Sequence, residues 1–368
     1  MAEPGRGDAT APRSLLALSD EELAARVAEL GGRPFHARVA RRELVVRGVL
    51  EYAAMSALPR PLRESLESEV PLLSGRVLGR RRARDGTTKL LIGFPPRAGR
   101  EARIETVHMP ARRSAGATLC VSTQAGCPVG CPFCASGLGG LSRNLEAHEI
   151  LEQFVLGRDL GPLSRSVVMG IGEPLLNSDN LIRALGVVSG EMGLGARRIT
   201  VSTVGFPDRV RRIAESGPRF ELAISLHTPD DEQRAELVPA MRGTPIEDVL
   251  AAGDAWFDAT GREVTYEYAL LAGVNDTPGH AERLAERLAR RRCSVNLIAF
   301  NPSPDLPFER PDAARVEAFR GRLAGRGIVA TVRASRGLEE DAACGQLRLR
   351  GSGVVGHGHG RGGFSEPP

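Results

Sequence analysis

The sequence predicts an α/β fold: a partial TIM-like barrel of six β/α units, with a small N-terminal helical domain and a β-extension in front of it. Two patterns carry this expectation. From about residue 117, short apolar runs alternate with longer helix-period segments. The strand-like runs are 118–122, 166–169, 199–202, 221–225, 263–270, 294–300 and 328–333. Helical stretches lie between them, at about 147–157, 179–192, 206–216, 245–259, 279–291 and 312–325. Such alternation makes a parallel sheet, for which a doubly wound arrangement is the rival of a barrel. The second pattern favours the barrel. A cysteine triplet follows the first strand, Gly172-Glu173-Pro174 the second and Asn301-Pro302 the sixth, while Ser202 ends the third and Ser225-Leu226-His227 the fourth. Barrel active sites are built at that carboxyl edge, so five segments are expected to meet at one mouth.

Upstream of the barrel the elements follow from caps and turns. Residues 1–15 are polar, with Pro, Gly and Arg, and read as a disordered leader. Ser19-Asp20-Glu21-Glu22 is a capping box opening a helix with Leu23, Val27 and Leu30 on one face, ended by Gly31. A second helix is expected from Phe35 to Arg47 and a third from near Pro61. These place a small helical domain at 16–72, whose many arginines could contact RNA. Strands 75–82 and 88–94, joined through Asp85-Gly86, and a third at 102–109 give a β-extension at 73–112. The barrel and a C-terminal catalytic loop then fill 113–347. The last segment, 348–368, reads as a flexible Gly-rich tail; its His357 and His359 could hold a metal ion, or simply be solvated.

Composition narrows the class. A hydrophobic content of 42% supports buried cores, and no apolar run approaches the ~20 residues that span a bilayer. The N-terminus lacks a signal-peptide core, so a cytoplasmic protein, with reduced thiols and no membrane partner, is expected. The net charge is +4, and nearly all the positive charge is arginine, Lys89 being the sole lysine. That bias fits GC-rich coding, and equally fits phosphate recognition by planar guanidinium groups. The run Arg76, Arg80, Arg81, Arg82 and Arg84 is dense enough to form a backbone-binding patch.

Cys127, Cys131 and Cys134 form a C-x3-C-x2-C triplet in a chain of six cysteines. Pro128, Gly130 and Pro132 keep it off a regular helix, so the thiols wrap a loop around something. Soft sulfur ligands select zinc, copper(I) or an iron–sulfur cluster. Structural zinc is normally closed by four protein ligands, whereas a cubane on three thiolates keeps one iron open.

The triplet, with Ile104-Glu105 to Pro110, Ala117 to Cys127, Ser142-Arg143-Asn144-Leu145, Met169 to Asn177, Tyr268 to Asp276 and Asp341 to Leu347, resembles the RlmN/Cfr family of radical S-adenosylmethionine (SAM) RNA adenine methyltransferases, on the RlmN side. The likeness runs from about Arg33 to Leu347. It implies a radical SAM barrel in which Cys127, Cys131 and Cys134 hold one [4Fe–4S] cluster with SAM on the open iron. Gly172 and Glu173 would hold the SAM amino acid moiety, and Ser202, Ser225, Leu226, His227 and Asn301 would complete the pocket. Cys344 matches a cysteine methylated during turnover, Cys120 a second catalytic cysteine, and Glu105 a proton acceptor. Ala135-Ser136-Gly137, Met169-Gly170-Ile171-Gly172 and Phe300-Asn301-Pro302 are mild departures from the family's pattern. Glu43-Leu44-Val45, where Trp-Ile-Tyr is usual, is a larger one that bears on how the small domain meets RNA.

The implied reaction uses two SAM molecules. One methylates Cys344; a second gives the radical that activates the S-methyl group to add to carbon 2 of adenine. Release leaves a Cys120–Cys344 disulfide. The implied partners are 23S rRNA, tRNA next to the anticodon, and a low-potential electron donor such as flavodoxin; a monomer is expected. A carbon-8 methyltransferase, a zinc-holding RNA-binding protein and a radical SAM enzyme on another substrate are the competing readings. Taken alone, Cys120 also reads as a small core hydrophobe, Cys293 as core, His227 as a packed histidine, and Glu105 as an edge charge.

Overall fold

The structure, a computed structural model, describes residues 13–112, 115–334, 336–337 and 342–347. The first twelve residues of the expected leader, Asp341, and the tail with His357 and His359 lie outside it.

Three helices open the chain: α1 (Asp20–Glu29), α2 (Pro34–Val45) and α3 (Arg60–Glu69). Ser19 and Glu22 form the reciprocal box in front of α1. The leader expected over 1–15 is corrected at its end, because Ser14 and Leu15 are fully buried and Leu15 N–H donates to Pro71 O. An antiparallel meander follows: β1 (Arg76–Arg82), β2 (Thr88–Arg97) and β3 (Arg100–Pro110). The β1–β2 loop holds the five residues expected between these strands, and Asp85 Oδ1 accepts from Thr87 N–H at 2.9 Å while Gly86 supplies φ +82°.

The parallel strands are β4 (Ala117–Cys120), then, after a small hairpin of β5 (Gln124–Gly126) and β6 (Leu141–Asn144), β7 (Leu163–Val168), β8 (Ile199–Thr203), β9 (Glu221–Ser225), β10 (Val264–Leu270), β11 (Cys293–Ala299) and a three-residue β12 (Ala330–Val332). Helices α4 (Ala147–Asp159), α5 (Ser178–Gly190), α6 (Pro207–Glu215), α7 (Asp231–Leu237), α8 (Ile246–Thr260), α9 (Pro278–Leu288) and α10 (Ala313–Gly325) connect them. Strand order β4-β7-β8-β9-β10-β11-β12 follows the chain without reversal. A doubly wound sheet reverses at a switch point, so the partial barrel holds. Sequence patterning missed α7, which is too short to show a period, and the β5–β6 pair.

The β-extension is not a separate layer. Strand β3 pairs antiparallel with β4, Val107 opposite Cys120, making one ten-stranded sheet. An uncovered β4 would present a row of unpaired backbone groups, and β3 satisfies them. The helical domain also packs on the barrel, one apolar core running from Leu15 to Ile328. Arg158 of α4 donates to Val45 O and Val46 O, capping the end of α2. Glu43, Leu44 and Val45 are buried in that junction, so their departure from the family pattern lies inside the fold rather than on an RNA-facing surface.

Glu152 of α4 is the polar latch between these parts. Its buried carboxylate accepts from Ser74 N–H, Ser74 Oγ, Gly75 N–H and Ser14 Oγ. Burial pushes it up to about 7, against the pull of the Ser74 and Gly75 hydrogen bonds. Because the folded pKa lies above the unfolded one, this group's stabilisation is complete below about pH 4.5 and is lost as pH rises through 7. Chemical denaturation of Glu152→Gln should therefore show a flatter stability slope between those pH values, by on the order of 3 kcal/mol across the window. Parallel slopes in variant and wild type would contradict this.

Candidate active site

The cysteine triplet sits in the loop of the β5–β6 hairpin. Gly126 enters it at φ +78°, and a Cβ there would stand 1.9 Å from Gly140 O, so only glycine closes this pair. Cys127 N–H donates to Gly140 O and Cys134 N–H to Cys131 O, curling the loop so that the three thiols line one cavity of about 160 Å³. Burial pushes Cys127 up to about 12 and raises Cys131 and Cys134 as well. Each would rest as a thiol until a metal displaced its proton.

Opposite the thiols stand the carboxyl ends of β7, β8 and β9. Gly172 has φ +110°, and Glu173 N–H donates to Gln124 Oε1 at 2.7 Å. The Glu173 carboxylate accepts from Thr203 Oγ1, Val204 N–H and Leu175 N–H at 2.6–2.9 Å. Burial raises its pKa, and those hydrogen bonds pull the other way. A carboxylate offers about four lone-pair sites, so one remains for a cationic group in the cavity. Ser202 Oγ lies 3.3 Å from Ser225 Oγ and donates to Glu267 Oε2 at 2.9 Å.

His227 takes φ +65°, uncommon for a residue with a side chain. Its Nδ1 accepts from Ala269 N–H at 3.0 Å, which puts the proton on Nε2, and burial lowers it to about 3. A neutral ring with its proton on Nε2 is a donor and not a metal ligand, and His227 lines the cavity. Leu226, by contrast, is packed in the core; its backbone N–H donates to Glu267 O.

Cys344 stands where this cavity meets a smaller one of about 40 Å³, and it lines both. Cys120, at the end of β4, lines the smaller one. The Cys344 loop is held from two sides: Ala135 N–H donates to Gly345 O and Ser136 Oγ to Leu347 O, while Asn301 Nδ2 donates to Cys344 O at 3.0 Å. Burial pushes Cys344 up to about 11 and Cys120 up to about 12.

The Radical SAM superfamily profile matches residues 121–288. The chain is 41% identical over 349 residues to "Probable dual-specificity RNA methyltransferase RlmN" of Synechococcus sp. (strain RCC307), covering 93% of this chain and 99% of the relative. It is 43% identical over 342 residues to the protein of that name in Gloeobacter violaceus, covering 91% and 95%. The protein belongs to the RlmN family. The crystal structure of a radical SAM methyltransferase from Sphaerobacter thermophilus superposes with a TM-score of 0.84 at 41% identity, covering 92% of this chain and 99% of that one.

The radical SAM superfamily implies a [4Fe–4S] cluster and SAM, and the residues of this RlmN-family chain fit both. Thiol sulfur is what such clusters take, and three thiols from one short loop share a cavity. Among the described residues no three His, Cys, Asp or Glu side chains gather tightly enough for a single ion; thiolates on a cluster bind separate irons and stand further apart. Across from them, Glu173, Ser202, Ser225 and Asn301 offer polar groups for SAM.

Glu105 is not brought to this RlmN-family site. It is 1% exposed, pairs with Lys89 (3% exposed) at 2.9 Å, and lines neither cavity. Cys293, expected in the core, is half-buried at the start of β11, packed against it. Three site residues were missed. Gln124 orients Glu173, Glu267 bridges Ser202 and Asn296, and Arg333 lies 3.8 Å from Glu267. Glu267 was detectable as a lone carboxylate within the apolar run of β10, since a buried charge needs a reason.

Gly172→Ala would place a methyl 2.6 Å from Gln124 Cβ and 2.8 Å from Gln124 N, at a φ that L residues rarely adopt. A loss of about 2–4 kcal/mol in unfolding free energy is expected. A variant with wild-type denaturation midpoint and SAM affinity would show that the cradle is not needed.

Proposed function

We propose that this protein is a radical SAM methyltransferase acting on carbon 2 of adenine in 23S rRNA, and in tRNA next to the anticodon, with the methyl group carried on Cys344. The observation that carries the reading is the position of Cys344 between two cavities, one lined by the three triplet thiols and the other by Cys120.

Carbon 2 of adenine lies between two ring nitrogens and is a poor nucleophile. When bound, the cluster and SAM supply the carbon-centred radical that such a centre requires; a low-potential donor of the flavodoxin kind supplies the electron. The residues do the rest. Cys127, Cys131 and Cys134 hold the cluster. Glu173 would accept from the SAM ammonium, and Ser202, Ser225 and the Nε2–H of His227 would orient its polar groups. Asn301 and the 135–136 backbone and hydroxyl hold Cys344 in reach of both cavities. Cys120 then attacks the Cys344 sulfur: the S–S bond forms as the S–C bond to the transferred carbon breaks, the electron pair passes to that carbon, which takes a proton to become the product's methyl group, and a Cys120–Cys344 disulfide remains.

The reactive carbon of adenine is hidden in a duplex, so the base must be unstacked. Exposed Arg76, Arg80, Arg82 and Arg84 on and beside β1 supply the cationic face that an RNA backbone needs.

The deciding test is mass spectrometry on the anaerobically reconstituted protein with an rRNA fragment. S-methylcysteine at position 344 and 2-methyladenine in the digested RNA are expected. Appearance of 8-methyladenine would change the assigned carbon, and an unmethylated Cys344 with unmodified RNA would remove the reading.

A further inference from the structure

Arg333 follows β12, and its backbone N–H donates to Leu297 O at 2.8 Å, fixing it beside the end of β11. Its guanidinium reaches across the barrel mouth. Nη1 donates to Met169 Sδ at 3.0 Å and lies 3.8 Å from Glu267 Oε1. Glu267 is in turn held by Ser202 and Asn296, so the cation is anchored through three strands. The same side chain lines the smaller cavity with both Cys120 and Cys344. Arg336, the other arginine there, donates to Pro110 O at the end of β3.

A thiolate, not a thiol, is the nucleophile, and a buried pocket opposes ionisation. Around this pair, Cys344 and Glu267 oppose ionisation of Cys120 and Glu267 opposes that of Cys344, while the Arg333 guanidinium, which lines the same cavity as the two sulfur-bearing residues, favours both. A fixed cation in a site of low dielectric needs no reorganisation when charge appears beside it.

We propose that Arg333 is a positioning residue, the fixed cation that Cys120 and Cys344 share across the smaller cavity, so that either sulfur can carry negative charge in its turn. This rests on the roles given above to those two cysteines.

The test is alkylation by iodoacetamide over a pH series, with peptide mapping at Cys120 and Cys344, on full-length reconstituted protein and its Arg333→Met, Arg333→Gln and Arg333→Lys variants. Iron content shows that each variant has formed its site, and Arg333→Gln replaces Arg333→Met should the latter not fold. The neutral variants should react about tenfold more slowly near pH 8, as expected for about one unit in thiol pKa, with Arg333→Lys restoring most of the rate. Equal profiles in wild type and the neutral variants would overturn the inference, as would a lysine variant as slow as the neutral ones. Wild-type protein that never acquires S-methylcysteine at 344 would instead sink the functional reading, leaving the alkylation profiles to judge Arg333 separately.

Discussion

Cys344→Ala is expected to abolish methylation of RNA, by on the order of 10⁴-fold or more, while leaving iron content unchanged. Cys344 lines two cavities, and its loop is fixed by backbone contacts from Gly345 and Leu347 to the triplet loop and by Asn301 to its own carbonyl. None of those contacts uses the side chain. Truncation at Cβ therefore removes the carrier and leaves its support in place. Cleavage of SAM by the reduced protein should persist, because the triplet thiols and Glu173 are untouched. The measurement is nucleoside mass spectrometry beside an iron assay and a 5′-deoxyadenosine assay. A variant that still methylates RNA would show that the methyl group travels by another route.

Cys131→Ala should lower bound iron by at least about tenfold and remove both SAM cleavage and methyl transfer. Cys131 lies between Gly130, at φ +74°, and Pro132, and its carbonyl accepts from Cys134 N–H. The loop thus has a fixed course that cannot bring another thiol of the triplet into the vacated place. Cys344 is the one other thiol lining that cavity among the described residues, and its own loop is tied back by Asn301. Iron and sulfide analysis after anaerobic reconstitution checks this directly. Retention of wild-type iron would mean that the triplet is not the cluster cradle.

Most of the barrel could be read from the chain because each strand is a short apolar run flanked by helix-period segments, and local patterning suffices for that. The expected strand at 221–225 matches β9, and the helix expected at 312–325 differs from α10 by one residue. The site was legible in part for the same reason. Residues that follow strands fall at the carboxyl edge, so Glu173, Ser202, His227 and Asn301 could be grouped without knowing any distance. Leu226 and Glu105 could not be sorted this way. Alternation along one strand does not say whether a side chain meets the mouth, the core or a partner on the next strand. The Lys89–Glu105 pair depends on the β2–β3 register, which places the two on one face two residues apart.

What the sequence by itself determined is the local chemistry: three thiols on a loop that cannot be helical, glycines where the backbone must turn or approach closely, and the order of strand and helix that brings loop ends to one rim. Tertiary structure alone decided which distant groups share a space. Cys120 and Cys344 are more than two hundred residues apart in the chain, yet they line one cavity with Arg333, whose guanidinium meets Met169, just past β7, and Glu267 of β10. Such meetings depend on sheet register and loop closure, which are set by the packing of the whole core rather than by neighbours in sequence.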